Sequence, residues 1–555
     1  MKKLLCAILS AAVLAGCSAP AVVTEPPASI TTEDFETKWA DSGFIRIQLN
    51  DGLTAVTLPE GASESAVTLA NDIIYYEEGH DASYGEGEKG EAHSADEAAR
   101  HTVVHINAPG TYVLTGKLSA GQVAIDLGED AKDDPTAVVT LILDGVDITC
   151  TLAPAIIFYH VYECGDAENP SATVDTSAAG ANVILPEGSI NYVNGSHVAK
   201  IYKPGTEKKL HKYDGAFYSR MSMNVGGEGF LDITADNEGL DSELHLTING
   251  GMIYIKSGND GINTNEDGVS VTTINGGTLR IDVTGTTGEG DGIDSNGWLV
   301  INGGNVFAYA CGSSMDSGID SDMGIRINGG TVVATGNMLD RIDDGSQTHA
   351  VFSFAQNQQG GTYALKNEKG TAIFEFEAPN GFSNLILSSP ALVDGSYTLW
   401  CGGTQFAGMA GSGGGFGGGF GGGGFIGGGF EGMEPPIDFP GTPGKGGGDV
   451  EIPPQPTQPI YTQGQPGENG APPEGFNFTF IPQGGEGMPV PSMPQGSEDM
   501  PVPPMPQGSE DMPPMPGNPG GGRQPSQSFQ IVGQLSTEFP ITRGANYFSF
   551  LQIAN

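Results

Sequence analysis

Ile248-Asn249-Gly250-Gly251, Ile274-Asn275-Gly276-Gly277, Ile301-Asn302-Gly303-Gly304 and Ile327-Asn328-Gly329-Gly330 are four copies of one phrase, with asparagines 26, 27 and 26 residues apart. Self-similarity at a fixed period of this size marks a repeat architecture. A second phrase keeps step with it: Gly239-Leu240-Asp241-Ser242, Gly261-Ile262-Asn263-Thr264, Gly292-Ile293-Asp294-Ser295 and Gly318-Ile319-Asp320-Ser321. In three repeats its glycine lies 10 residues before the asparagine of the first phrase; in the other the gap is 14, where Glu266-Asp267-Gly268 read as a loop insertion.

Aligning the residues after each Gly-Gly gives a column of Ile253, Leu279, Val306 and Val332, and two residues on Ile255, Ile281, Ala308 and Ala334. Such period-2 alternation is that of a strand with one buried face. Each repeat therefore holds two short strands around a Gly-Gly turn, and a further turn at the Gly-Ile-Asp phrase. A unit this small cannot bury its own apolar face, but stacked copies can, one inter-strand distance of about 4.8 Å apart. The expectation is all-β, a parallel β-helix. Helical solenoids lack support, because no repeat carries a helical period, and a propeller blade of roughly 40–45 residues is too long for this spacing.

The chain has 555 residues, with 67 acidic against 23 basic and a formal charge of −44. That balance argues against nucleic acid, which needs clustered Lys and Arg, and favours cation binding. Lys2 and Lys3 precede the apolar run Leu4 to Leu14, and Leu14-Ala15-Gly16-Cys17 resembles a bacterial lipobox. Residues 1–17 are read as a lipoprotein-type signal peptide with lipidation at Cys17, which predicts an exported protein anchored by lipid to the membrane at the cell surface. Residues 18–40 are read as a tether, 41–401 as the β-helix domain, and 402–526 as a disordered Gly/Pro/Met-rich insertion, since such composition cannot bury enough apolar area to offset chain entropy. Residues 77–100 are read as an acidic loop. Residues 527–555 regain strand pattern and are expected to return to the domain, near Tyr397–Trp400. Cys150 and Cys164 could pair; spacing alone leaves this open.

Two columns carry candidate chemistry. The Gly-Ile-Asp register aligns Asp241, Asn263, Asp294 and Asp320, with Asp322 two residues beyond Asp320 and Asp260, Asp291 and Asp316 just ahead of the glycines. Carboxylates one inter-strand spacing apart repel, and Ca2+, which takes six to eight oxygen ligands, would relieve them; turn capping by Asp, Asn and Ser is the other reading. The second column faces outward after Gly-Gly: Tyr254, Arg280 and Phe307, then Lys256 and Tyr309. Rings and cations on a flat sheet suit a carbohydrate; equally, a neighbouring segment could cover them. Stacked Asn249, Asn275, Asn302 and Asn328 suit a structural hydrogen-bonded ladder. Among catalytic signatures, neither His-Glu-X-X-His nor Gly-X-Ser-X-Gly occurs.

The run Val139-Thr140-Leu141-Ile142-Leu143-Asp144-Gly145-Val146-Asp147-Ile148, with Asp260-Gly261-Ile262-Asn263, Asp291-Gly292-Ile293-Asp294-Ser295-Asn296 and the Ile-Asn-Gly-Gly coils, resembles the carbohydrate-binding, polysaccharide-lyase-like β-helix family first described from cellulose-degrading clostridia. The resemblance covers roughly residues 100–400. It implies a right-handed parallel β-helix, Ca2+ at the coil corners, and binding of acidic, pectic polysaccharide, with cellulose as a further candidate. The long insertion departs from that pattern. The expected function is non-catalytic polysaccharide binding at the cell surface. The alternatives are a Ca2+-dependent lyase on uronate polymers, for which Lys256, Arg280 and Arg326 are the basic residues in the regular coils, and a structural adhesin.

Overall fold

The computed structural model describes residues 39–40, 42–76, 91–202, 209–343, 347–411 and 535–554. The signal segment with Cys17, nearly all of the tether, residues 77–90, the insertion from 412 onward and the strand pattern at Ser528–Val532 lie outside the described residues. What is described is nearly all-β, with its strands hydrogen-bonded into sheets of 24, eight and two strands.

The repeats build three parallel ladders. The first stacks Ala181–Leu185, Met223–Gly227, Leu246–Ile248, Val271–Ile274, Trp298–Ile301 and Gly324–Ile327. The second stacks Ile190–Gly195, Phe230–Ala235, Met252–Ser257, Thr278–Val283, Asn305–Tyr309 and Thr331–Gly336. The third stacks Gly121–Asp126, Ile156–His160, Gly215–Ser219, Glu238–Ser242, Ile262–Thr264 and Ile293–Ser295. From Leu246 onward the chain visits first, second and third ladder in turn and returns one step further along the first.

The two phrases of the repeat have separate physical duties. The second glycine of each Gly-Gly turns the chain from first to second ladder with positive φ, 97° at Gly251 and 83° at Gly277, a region that costs glycine nothing. The glycine of the other phrase is needed for close approach: a Cβ on Gly261 would sit 2.1 Å from Ile281 Cγ2 and 2.6 Å from the Gly292 carbonyl oxygen. The expected turn at Gly-Ile-Asp is corrected here. In the first three copies these residues form short strands, because Leu240, Ile262 and Ile293 pair in register and are fully buried, which requires extended backbone; in the fourth, Ile319 makes a single bridge to Ile293.

The aligned apolar columns fill one continuous core from Ile45 through Ile281, Ile301 and Ile327. At its start, Ile45–Leu49 pairs parallel with Gly110–Leu118, which pairs with Val139–Thr149. The described end of the acidic stretch read as loop forms a short helix, Ala95–Ala98, closed by a capping box between Ser94 and Glu97.

The three stacked parallel ladders end at Gly336. Phe382–Ser388 runs antiparallel along Thr331–Gly336, and a second core forms around Phe352, Tyr363, Phe382, Phe539 and Phe548. The coil domain expected to continue to residue 401 therefore gives way to an antiparallel unit. Thr404–Gly411, inside the stretch read as insertion, is a strand paired antiparallel with Ala545–Ile553. Ala545–Ile553 in turn lies parallel to His349–Gln358, and Phe539–Ile541 pairs with Gly395–Cys401. Composition could not reveal that strand, since its partner lies more than a hundred residues away. Cys150 and Cys164 are both free thiols.

Candidate functional site

Register on the third ladder decides which carboxylates meet. Asp241 pairs with Asn263, Asn263 with Asp294, and the bridge between Ile293 and Ile319 sets Asp320 next in line. The residues just ahead of this column hold successive coils together. The Asp291 N–H donates to Asp260 Oδ1 at 2.6 Å, Ser317 N–H to Asp291 Oδ1 at 2.5 Å, and Gly290 N–H to Asp316 Oδ2 at 2.6 Å. Turn and backbone capping is thus part of what these aspartates do.

It does not satisfy all of them. Asp291, Asp294 and Asp320 each offer an oxygen within 4.8 Å of the others. Asn263 Oδ1 and Asp320 Oδ1 are buried without a hydrogen-bond partner. Burial pushes the Asp291 carboxyl up to about 8, helped by the charges of Asp320, Asp294 and Asp316, although the Ser317 N–H pulls the other way. Burial likewise raises Asp320 to about 6, with Asp340 the leading charge. Asp260 is pushed well above the usual carboxylate range by burial, then by Glu238, Asp291 and Asp294. The leading charges on Asp260 and Asp291 are all carboxylates, so each destabilises the ionised form of the next. Three convergent carboxylates, Asp291, Asp294 and Asp320, are a donor set that a hard cation takes.

Of the residues read from sequence as ligands, Asp291, Asp294 and Asp320 come together, with Asp260 against Asp291. Asp241 is fully buried higher in the column and accepts from Asn265 Nδ2 at 2.9 Å; Asn263 donates to Glu238 Oε1 at 3.1 Å. Asp316 accepts from Ser314 Oγ and the Gly290 N–H, and Asp322 is exposed. Asp340 was missed. It follows the last Ile-Asn-Gly-Gly phrase and carries no repeat signal; the bridge from Ile325 to Ile342 brings it beside Asp320.

The outward column divides. Tyr254 is half-buried and Lys256 exposed, but Phe307 is 6 % exposed and Tyr309 0 %. Both belong to the core of the antiparallel unit, so their reading as carbohydrate-binding residues is corrected: the covering segment weighed as the alternative is present. Arg280, 9 % exposed, is held between rings, its Cζ 5.5 Å from the Tyr254 centroid and 5.0 Å from that of Tyr309, and its Nη2 donates to Asp282 Oδ2 at 3.0 Å. It is a packing cation rather than an accessible one.

Residues 100–360 match the family model described as "Carbohydrate-binding domain-containing protein". A protein of that description from Acetivibrio thermocellus is 28 % identical over 155 residues, which cover 28 % of this chain and 45 % of the relative; the match thus spans about half of the relative's length. The gadolinium derivative of the polysaccharide lyase-like protein from C. thermocellum aligns at 19 % identity with a TM-score of 0.30, covering 55 % of this chain and 90 % of that one. The family model and the A. thermocellus relative both carry the carbohydrate-binding description that the coil motifs resemble.

Proposed function

We propose that the region matching the carbohydrate-binding family is a Ca2+-loaded, non-catalytic polysaccharide-binding domain, wound as a right-handed parallel β-helix and held at the cell surface by lipid on Cys17. The coiled path is supported by the fixed order in which the chain visits its three parallel ladders, and the right hand is taken from the family resemblance. The observation that carries the functional reading is the convergence of Asp291, Asp294 and Asp320 within 4.8 Å. Three partly buried carboxylates this close repel one another, as the raised carboxyls of Asp291 and Asp320 reflect, and a divalent cation relieves that repulsion.

Bound there, Ca2+ would supply positive charge that uronate carboxylates can share. That reconciles a chain of charge −44 with a polyanionic, pectic ligand. Asp291, Asp294 and Asp320 would hold the ion, while Asp260, through its bond to the Asp291 N–H, fixes the coil that presents Asp291.

Lyase chemistry would need a basic residue beside the metal to take the substrate's α-proton. Lys256 and Arg280 stand on the second ladder, away from the third-ladder carboxylates, and Arg280 is committed to Asp282. Arg326, on the first ladder, lies 3.9 Å from Asp343. Binding without cleavage is the better fit.

The test is calorimetric titration of polygalacturonate into the full chain, with Ca2+ and with EDTA, alongside an ultraviolet assay for unsaturated product. Binding that needs Ca2+, with no rise in absorbance, is expected. Binding that survives EDTA would overturn the bridging ion, growing absorbance would make the protein a lyase, and no binding under either condition would leave the structural adhesin.

A further inference from the structure

The exposed asparagine ladder of the repeats has a direction. Each amide nitrogen donates back to the preceding coil: Asn275 to Asn249 at 2.9 Å, Asn302 to Asn275 at 2.9 Å and Asn328 to Asn302 at 2.8 Å. Asn249 stands at the start and only accepts. The coil before it carries Val225-Gly226-Gly227 in place of Ile-Asn-Gly-Gly, and Val225 pairs with Ile248, so the position under Asn249 is a glycine with no side chain to accept from it.

The open end coincides with a reactive sequence. In Asn-Gly the following residue has no Cβ, so its backbone nitrogen approaches the asparagine Cγ without hindrance. The other Asn-Gly pairs among the described residues all commit their amide nitrogen. Outside the ladder, Asn194 donates to Thr149 Oγ1 at 3.4 Å, Asn296 to the Asn265 carbonyl at 2.9 Å, and Asn380 to the carbonyls of Val283 and Ala310, both at 2.7 Å. Asn249 Nδ2 has no acceptor among the described residues, and the Asn249 side chain is exposed. The backbone differs in the same sense. The Gly303 and Gly329 N–H groups are bonded to the carbonyls of Ile274 and Ile301 at 3.2 Å, whereas Gly250 makes no such bond among the described residues.

We propose that Asn249 is a site of spontaneous deamidation, and that the direction of the ladder lets it survive the change. The Gly250 nitrogen attacks Asn249 Cγ and gives up its proton; the Cγ–Nδ2 bond breaks, and ammonia leaves with that proton. Water then opens the cyclic imide to aspartate or isoaspartate. As aspartate, the residue remains the acceptor that Asn275 Nδ2 needs, and their bond becomes charge-assisted. The same change at Asn275 or Asn302 would put a second acceptor where the ladder needs a donor. With time the chain thus gains one negative charge at one fixed place. This inference rests on neither the carboxylate site nor the polysaccharide reading.

The experiment is incubation of the full chain in warm, mildly alkaline buffer, with peptide mapping by mass spectrometry, beside a sample unfolded in urea. The four ladder asparagines share the sequence Ile-Asn-Gly-Gly, so each folded-state rate is compared with its own unfolded rate and any difference is due to the fold. Asn249 should deamidate first, with Asn275 and Asn302 slower by about tenfold, because each must first open its hydrogen bonds. Gly226→Asn supplies the missing acceptor and should protect Asn249; the added Cβ would lie 3.6 Å from Asn249 Cβ, an ordinary contact. Should that variant melt below wild type, Asn249→Ala takes its place, and the lability should pass to Asn275. Equal protection of all four, a ladder asparagine modified ahead of Asn249, or an unprotected Asn249 in folded Gly226→Asn would each overturn the site. Asn249→Asp should keep the wild-type Tm while Asn275→Asp lowers it; the reverse order would overturn the claim that the ladder survives.

Discussion

Two columns of polar side chains run through the same repeats and end in opposite states. On one, Asn275 Nδ2 donates to Asn249 Oδ1 at 2.9 Å, Asn302 to Asn275 at 2.9 Å, and Asn328 to Asn302 at 2.8 Å. On the other, Asp294 and Asp320 converge with Asp291, and their neighbours repel. Repeat, inter-coil spacing and near-identical side-chain size are shared. The difference is one functional group: an amide both donates and accepts, so a stack satisfies itself, whereas an ionised carboxylate only accepts. Stacking acceptors leaves a deficit that a proton or a cation must fill.

The sharpest way to break this comparison is to supply the cation. Saturating Ca2+ should stabilise the protein by about 4 kcal/mol at a thousandfold excess over Kd, read as a rise in Tm by calorimetry; an unmoved Tm would leave the aspartate column as turn chemistry alone. Converting one column toward the other comes next. Asp294→Asn should raise the Tm of the metal-free protein, by the equivalent of roughly 1–2 kcal/mol of relieved repulsion, and should shrink the Ca2+ response.

Protons test the same deficit more gently. The folded-state carboxyls of Asp291 and Asp320 lie near 8 and 6, above the ordinary 3.8, so the folded chain holds extra protons between those limits. Metal-free stability should then be greatest near pH 4 and fall as pH rises toward 8, while Ca2+ affinity rises over the same range. A pH series of melting curves with and without Ca2+ reads both slopes. The smallest effect belongs to the asparagines: Asn302→Ala breaks two exposed ladder bonds, costs about 1 kcal/mol, and should leave the Ca2+ response unchanged.

Much of this site could be read from the chain because period and register are local. The spacing of Gly292-Ile293-Asp294 and Gly318-Ile319-Asp320 already aligns the carboxylates, and the buried columns through Ile281 and Ile301 follow from alternation. Asp340 could not be read, since it lies beyond the last phrase. A Gly-Ile-Asp phrase reads as a turn, but glycine there serves close approach to Ile255 and Ile281 rather than a positive φ. Alternation puts Phe307 and Tyr309 on the outward side of their strand, where the antiparallel unit buries them.

By itself, then, the sequence determined the repeat, the all-β class, the inward and outward sides of each strand and the alignment of Asp294 with Asp320, all consequences of short-range periodicity. Only the tertiary structure decided that Asp291, Asp294 and Asp320 meet within 4.8 Å, that Arg280 is clamped between two tyrosines, and that an antiparallel unit built from residues 349–411 and 535–554 buries the end of the outward column. The first two depend on the side-chain packing of neighbouring coils, and the third on segments more than a hundred residues apart in sequence, 349–411 and 535–554, for which the chain carries no local mark of where the partner lies.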